Sequence, residues 1–368
     1  MKNKILFTPG PLTTSMSVKE TMLVDIGSRD YEFREIINSI QEKLLKIVNL
    51  HKNDGYEAII MQGSGTFGVE SVISSVIPSN GNLIVLNNGH YGERMIDIAK
   101  IYGINVIEYK FKENEPVNPS VLDSLFEYHP KIDFLACVHC ETTTGIINPI
   151  NEVGKYAKKY GIKYIVDAMS SFGAYPINMI EDNIDFLISS ANKCIEGVPG
   201  FSFILAKKES LTDSKDIVRN LSLNLYQQWE YTEKNKQFRF TPPIHSMIAF
   251  NQALNELEDE GGMEGRAMRY KENHQILIEG MRKLGFEEYI NPDFQSHIIT
   301  TFLYPEWSDR KFNFTEFYDF LNERDFVIYP GKLSEEDCFR IGNIGRIFAQ
   351  DIRNLLSAIE EFVNTYKK

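Results

Sequence analysis

Tyr164-Ile165-Val166-Asp167-Ala168-Met169-Ser170-Ser171 and, a little further on, Ile184-Asp185-Phe186-Leu187-Ile188-Ser189-Ser190-Ala191-Asn192-Lys193-Cys194 are the two stretches on which the fold turns. Each contains a short apolar run, and each places a charged residue and small side chains just beyond it. Unbroken rather than alternating hydrophobicity predicts strands covered on both faces. Comparable runs lie on either side: Ala58-Ile59-Ile60-Met61, Leu83-Ile84-Val85-Leu86, Ile104-Asn105-Val106-Ile107, residues 134–138 and Phe203-Ile204-Leu205. A helix-length segment separates most pairs, so the pattern predicts a mostly parallel sheet of α/β class. Such sheets bind ligands beyond the carboxyl ends of their strands, which puts Asp167 and Lys193 where chemistry is to be sought.

Working outward, Phe33, Ile36, Ile37, Ile40, Leu44, Ile47 and Val48 recur at helical spacing, and residues 66–77 form a second helix after a glycine turn. Beyond Thr241-Pro242-Pro243 the texture changes to long helices over 245–258 and 264–284, mixed elements, and a last helix over 351–366. The organisation expected is therefore a large domain over 20–245 and a smaller α+β domain over 246–368, with the N-terminal segment 1–19 packed near the latter. Residues 221–240, aromatic and charged without a clear period, read as a long loop that reaches an interface.

The chain has 368 residues, enough for two domains around one site, and a formal charge of −12. That charge argues against nucleic acid or an anionic membrane as partner, so any anionic ligand needs a local pocket. The start lacks a long apolar stretch, and no run reaches membrane-span length; a cytoplasmic protein is expected. Four cysteines are too few for a disulfide framework. Cys137-Val138-His139-Cys140 looks like a metal motif, but residues three apart on a strand face opposite ways; buried apolar thiols and no metal are expected.

Three features carry candidate chemistry. Gln62-Gly63-Ser64-Gly65-Thr66-Phe67-Gly68 sits between an apolar strand and a helix, where free N–H groups and the Ser64 and Thr66 hydroxyls suit a phosphate dianion. An ordinary strand-to-helix turn would look the same. Asp167, at the tip of a buried strand, suits a protonated ring nitrogen, or equally a helix N-cap. Lys193, between small residues and Gly197-Val198-Pro199-Gly200, could present a partly desolvated, nucleophilic amine, although most lysines are solvated surface charges.

Residues 166–171 followed by 189–194 resemble the pyridoxal 5′-phosphate (PLP)-dependent aminotransferases of fold type I, class V. Thr8-Pro9-Gly10-Pro11, Gly89-His90-Tyr91-Gly92-Glu93-Arg94, Glu141-Thr142-Thr143-Thr144-Gly145 and residues 191–200 are most similar to the branch that exchanges an amino group between 2-aminoethylphosphonate and pyruvate. The resemblance implies a seven-stranded large-domain sheet and PLP joined covalently to Lys193, with Asp167 on its ring nitrogen. It implies that Ser64, Gly65 and Thr66 receive the phosphate, that Tyr91 lies over the ring, and that Thr142 stands near the phenolic oxygen. Thr241 resembles a residue that reaches the phosphate of a neighbouring subunit, which implies a homodimer. Arg340, in Phe339-Arg340-Ile341, would grip the substrate anion, helped by the backbone at Gly10. An alanine–glyoxylate or serine–pyruvate aminotransferase would use the same residues, and the glycine loop alone would also fit a Rossmann-type NAD-dependent oxidoreductase.

Overall fold

The computed structural model describes residues 3–307, 310–333 and 336–366. At its centre is a seven-stranded sheet in the order Tyr56–Gln62, Phe201–Lys207, Phe186–Ser190, Lys163–Asp167, Phe134–Val138, Asn82–Asn87, Asn105–Lys110. Phe201–Lys207 runs antiparallel to both neighbours, while the remaining pairs are parallel. Alternate residues of each central strand enter opposite cores. Leu135, Cys137, Tyr164, Val166 and Leu187 face the helices Tyr31–Ile47, Val121–Tyr128, Ile150–Tyr160 and Ile244–Asp259. Phe134, Ala136, Ile165, Phe186 and Ile188 face Gly65–Val76 and His90–Ile101. Burial on both sides is the reason these strands read as unbroken apolar runs.

The smaller body has its own core of Phe7, Leu277, Met281, Phe302, Phe317, Phe339, Ile341, Leu355 and Phe362. Its antiparallel sheet has the order Ile299–Leu303, Cys338–Gly342, Tyr329–Pro330. The N-terminal strand Ile5–Leu6 pairs in parallel with Phe326–Val327, Phe7 enters this core, and Val18 is already in the core of the large body. Helix Ile244–Asp259 buries Met247, Phe250, Leu254 and Leu257 in the large core, whereas the next helix, Gly262–Lys283, sends Leu277 and Met281 into the small one.

Two expectations about elements need correction. Residues 221–240 contain a helix, Leu225–Asn235, whose N-cap Asn224 accepts a hydrogen bond from Gln227 N at 2.9 Å. Leu225, with half-buried Tyr226 and Trp229, packs it onto the second core. The strand expected over 104–107 is Asn105–Lys110, an edge strand with Asn105, Glu108 and Lys110 exposed and Val106 and Ile107 only half-buried against the two cores. Among the described residues no helix is long and apolar enough to cross a membrane. All four cysteines are free and buried; Cys137 and Cys140 lie in different clusters, and burial pushes both thiols up to about 12.

Candidate active site

Three strand ends and two helix starts converge on a cavity of about 180 Å³. Ser64, Gly65, Thr66, Tyr91, Asp167 and Lys193, all singled out in the sequence, line it together with Val69, Arg94, Met169, Ser190 and Asn192. Lys163–Asp167 delivers Asp167, Phe186–Ser190 delivers Ser190 and the turn bearing Lys193, and Gly65–Val76 and His90–Ile101 contribute their first turns. A wider cleft of about 730 Å³, bordered by His139, Asn148, Tyr175 and Phe294, has no comparable convergence of charged groups.

At the first helix, Ser64 takes the N-cap position but makes no side-chain cap bond, so the opening amides point toward the cavity unshared. Arg94 Nη1 donates to Thr66 Oγ1 at 3.1 Å, and its guanidinium lies 4.9 Å from the centre of the Tyr91 ring. Positive amides, two hydroxyls and a guanidinium on one side of a small cavity form an anion cradle. A Cβ on Gly65 would strike the thioether end of Met169, so a larger residue there would have to displace that side chain from the cradle wall.

Asp167 is buried, and its Oδ1 accepts a hydrogen bond from Met169 N at 2.9 Å. Turns rather than a helix follow it, which removes the helix-cap alternative. Burial pushes its carboxyl up to about 6, although Arg94 and Lys193 pull the other way. A buried carboxylate with this little compensation is most stable beside a cation, as a protonated ring nitrogen would be.

Half-buried Lys193 donates from Nζ to Pro9 O at 2.6 Å. Desolvation lowers its ammonium to about 8, against the raising influence of Cys194 and Asp167. The neighbouring Gly10 has φ +124°, and a Cβ there would lie 2.8 Å from Lys193 Nζ. Glycine at this position keeps the amine accessible. Gly10 thus touches the lysine rather than lining the cavity.

Arg340 and Thr142 stand one layer back. Arg340, 2% exposed, donates from Nη1 to Thr142 O at 2.8 Å and from Nε to Pro330 O at 3.1 Å. Its charge nevertheless acts on Lys193, and those of Tyr91 and Glu141 act on it. Thr241 is exposed and does not line the cavity of its own chain.

Two residues that sequence reasoning leaves unassigned are Arg94 and Glu141. Glu141 is fully buried; Oε1 accepts from Thr143 N at 3.0 Å and Thr143 Oγ1 at 2.6 Å, and Oε2 accepts from Tyr91 N at 3.1 Å. Burial pushes it up to about 6. A signal for Arg94 exists: it lies one helical turn after His90, beside the glycine-led helix start. Glu141 has none, because its partner Tyr91 is fifty residues away.

The set fits PLP in kind: an amine for its aldehyde, a buried carboxylate for its ring nitrogen, an aromatic ring, and an anion cradle for its phosphate. The description of the class V aminotransferases matches residues 19–329. A 2-aminoethylphosphonate–pyruvate transaminase from Bacillus cytotoxicus is 49% identical over 99% of both chains. A bifunctional phosphonoacetaldehyde hydrolase/aminoethylphosphonate transaminase from Clostridioides difficile is 48% identical over 98% of this chain, which spans only 56% of that longer protein. Among solved structures, an alanine–glyoxylate aminotransferase from Nostoc sp. superposes with a TM-score of 0.90 at 24% identity, over 98% of this chain and 95% of that one, a likeness of fold.

Proposed function

The chain belongs to the class V aminotransferases, and from that premise we propose that it moves the amino group of 2-aminoethylphosphonate to pyruvate, yielding phosphonoacetaldehyde and L-alanine, with PLP held at Lys193. The observation that carries this reading is the meeting of Lys193, Asp167 and the Ser64-Gly65-Thr66 cradle in one cavity, in a chain about half identical to transaminases named for those substrates. Nothing in this set answers to the oxidoreductase alternative.

When bound, PLP supplies the electron sink that makes loss of a proton from the amine-bearing carbon feasible. Lys193 Nζ would hold the cofactor. Free of it and neutral above about pH 8, the same amine would serve as the base that takes the proton from the amine-bearing carbon. Pro9 O orients this amine between turns. Asp167 would pair with the ring nitrogen and favour its protonated form, and Tyr91 would offer an aromatic face to the ring. Arg340, fixed by Thr142 O and Pro330 O, draws the substrate anion to the cavity mouth, so that the breaking C–H bond is held in a single orientation.

A second copy of the chain completes the site. Phe67, 49% exposed, flanks the cradle, and Phe240, 45% exposed, precedes Thr241. Apolar side chains left bare beside a cavity favour a partner surface there, and Thr241 would then reach the neighbour's phosphate cradle. Four buried, free thiols suit the reducing cytoplasm.

The test is stoichiometric. Mixed with 2-aminoethylphosphonate and no acceptor, the PLP-loaded protein should release one phosphonoacetaldehyde per site, and subsequent pyruvate should yield one L-alanine. Turnover of L-serine, or of L-alanine with glyoxylate, without any response to 2-aminoethylphosphonate would replace this reading by the serine–pyruvate or alanine–glyoxylate one.

A further inference from the structure

At neutral pH a phosphonate carries close to two negative charges and a carboxylate one, so a site that prefers the phosphonate needs more than one cation facing it. Arg340 brings a single charge, and two of its donors are committed to Pro330 O and Thr142 O. Arg94 is turned toward the cradle through Thr66. A further positive group is therefore expected near Arg340.

We propose that Lys332 is that group: with Arg340 it forms the dianion half of the substrate site and sets the preference for a phosphonate over a carboxylate donor. This rests on the donor named above. Lys332 lies two residues beyond Pro330, whose carbonyl holds Arg340. The turn is pinned to Arg340's own strand, because Gly331 N donates to Cys338 O at 3.0 Å and the amides of Lys332 and Leu333 reach the Cys338 thiol. The two segments approach so closely that a Cβ on Gly331 would strike Cys338. The lysine side chain is exposed, and its ammonium acts on His90 and is acted on by Arg340, Arg94 and Glu141.

Lys332 thus lies within electrostatic reach of Arg340, Arg94 and His90, and of these Arg94 lines the cavity itself. Of the carboxylates beside this group, Glu93 faces His90, and Glu141, which acts on Lys332 and Arg340, is already committed to Thr143 and Tyr91. Among the described residues no acidic side chain forms an ion pair with Lys332. Burial, Arg340 and Arg94 all lower its ammonium pKa, as expected of a cation crowded by others and lacking its anion. A bound dianion would relieve that crowding, and a monoanion would relieve about half of it. A partly exposed charge pair of this kind contributes modestly, which translates into about a three- to tenfold effect on binding.

The experiment compares PLP-loaded wild type with K332Q and K332R. In K332Q the KM for 2-aminoethylphosphonate should rise about three- to tenfold while that for pyruvate stays within about twofold, and K332R should restore the wild-type value. Calorimetric binding of ethylphosphonate, measured above its second ionisation so that it is a dianion without an amine, should weaken in parallel in K332Q. Unchanged KM for 2-aminoethylphosphonate with unchanged ethylphosphonate affinity, or an equal rise in both KM values, overturns the role of Lys332 while leaving the donor assignment intact. If wild type itself does not turn over 2-aminoethylphosphonate, the donor assignment fails first and this inference falls with it.

Discussion

At the residue scale the chemistry depends on how far burial moves two ionisable groups. Lys193 sits near 8 instead of 10.5 because its ammonium is desolvated, so about half of it is neutral at pH 8 and about one-tenth at pH 7. Covalent attachment of PLP to the apoprotein, followed by stopped-flow absorbance, should accelerate about tenfold per pH unit up to pH 8 and then level off; a rate still climbing at pH 10 would mean an unshifted amine. Asp167 works in the opposite sense: its carboxyl, raised to about 6, takes up a proton below that pH and can no longer pair with a ring cation, so cofactor affinity should fall as pH drops through 6. Both residues are legible in the sequence because their immediate neighbours define them: an apolar run to bury them and small residues to leave space. Gly10 is legible only by resemblance, since the reason for it is the tip of a lysine far along the chain, close to which no Cβ fits. Arg340 reads in the sequence as a direct ligand, yet two of its donors serve backbone carbonyls, contacts that pair distant segments and leave no local trace.

At the element scale, the turn Glu141-Thr142-Thr143 joins parts that are remote in sequence. The Glu141 side chain ties it to the start of His90–Ile101, and the carbonyl of Thr142 ties it, through Arg340, to the small-body strand Cys338–Gly342. Glu141→Gln keeps the shape but turns one acceptor into a donor facing an N–H group. It should cost about 1–3 kcal/mol in urea unfolding and loosen Tyr91 enough to weaken PLP binding. The large-domain strands are legible from their apolar runs because both faces are buried. The helix Leu225–Asn235 is not: its buried positions include Gln228 and Thr232, so no apolar stripe announces it, and only the cap at Asn224 gives a local sign.

At the scale of the whole molecule, the two bodies meet through a buried ionic network that starts beside Lys193. Glu196 Oε1 receives Arg269 Nη2 at 2.7 Å and the Tyr270 hydroxyl at 2.6 Å, and Glu260 receives both Arg266 and Arg269. Arg266 Nη1 also donates to Cys194 O at 2.5 Å, and Arg269 Nη1 donates to Gly345 O and Ile347 O. The first turns of Gly262–Lys283 therefore clamp the loop after Lys193 to the segment after Arg340. Glu196 adopts φ +66°, a left-handed conformation unfavourable for a residue with a side chain. Glu196→Ala leaves Arg266 and Arg269 with Glu260 as their one remaining carboxylate in this network and should lower stability by about 3 kcal/mol, seen as a fall in Tm. Glu196→Gly, which relieves the backbone, should lose less by about 1 kcal/mol; equal losses would show that the backbone conformation contributes nothing. None of this network is legible beforehand, since charged residues on a long helix look the same whether they face solvent or a buried anion.

The pairing of Ile5–Leu6 with Phe326–Val327 has a consequence for biosynthesis. The strand Ile5–Leu6 has to wait for a partner made about 320 residues later, and Pro9 cannot meet Lys193 in its final position until that strand docks. The large sheet can form during translation, but Lys193 acquires Pro9 as a neighbour only after residues 326–327 have been made. A bulky fusion at the amino terminus should therefore delay maturation of the active enzyme more than the same fusion at the other end.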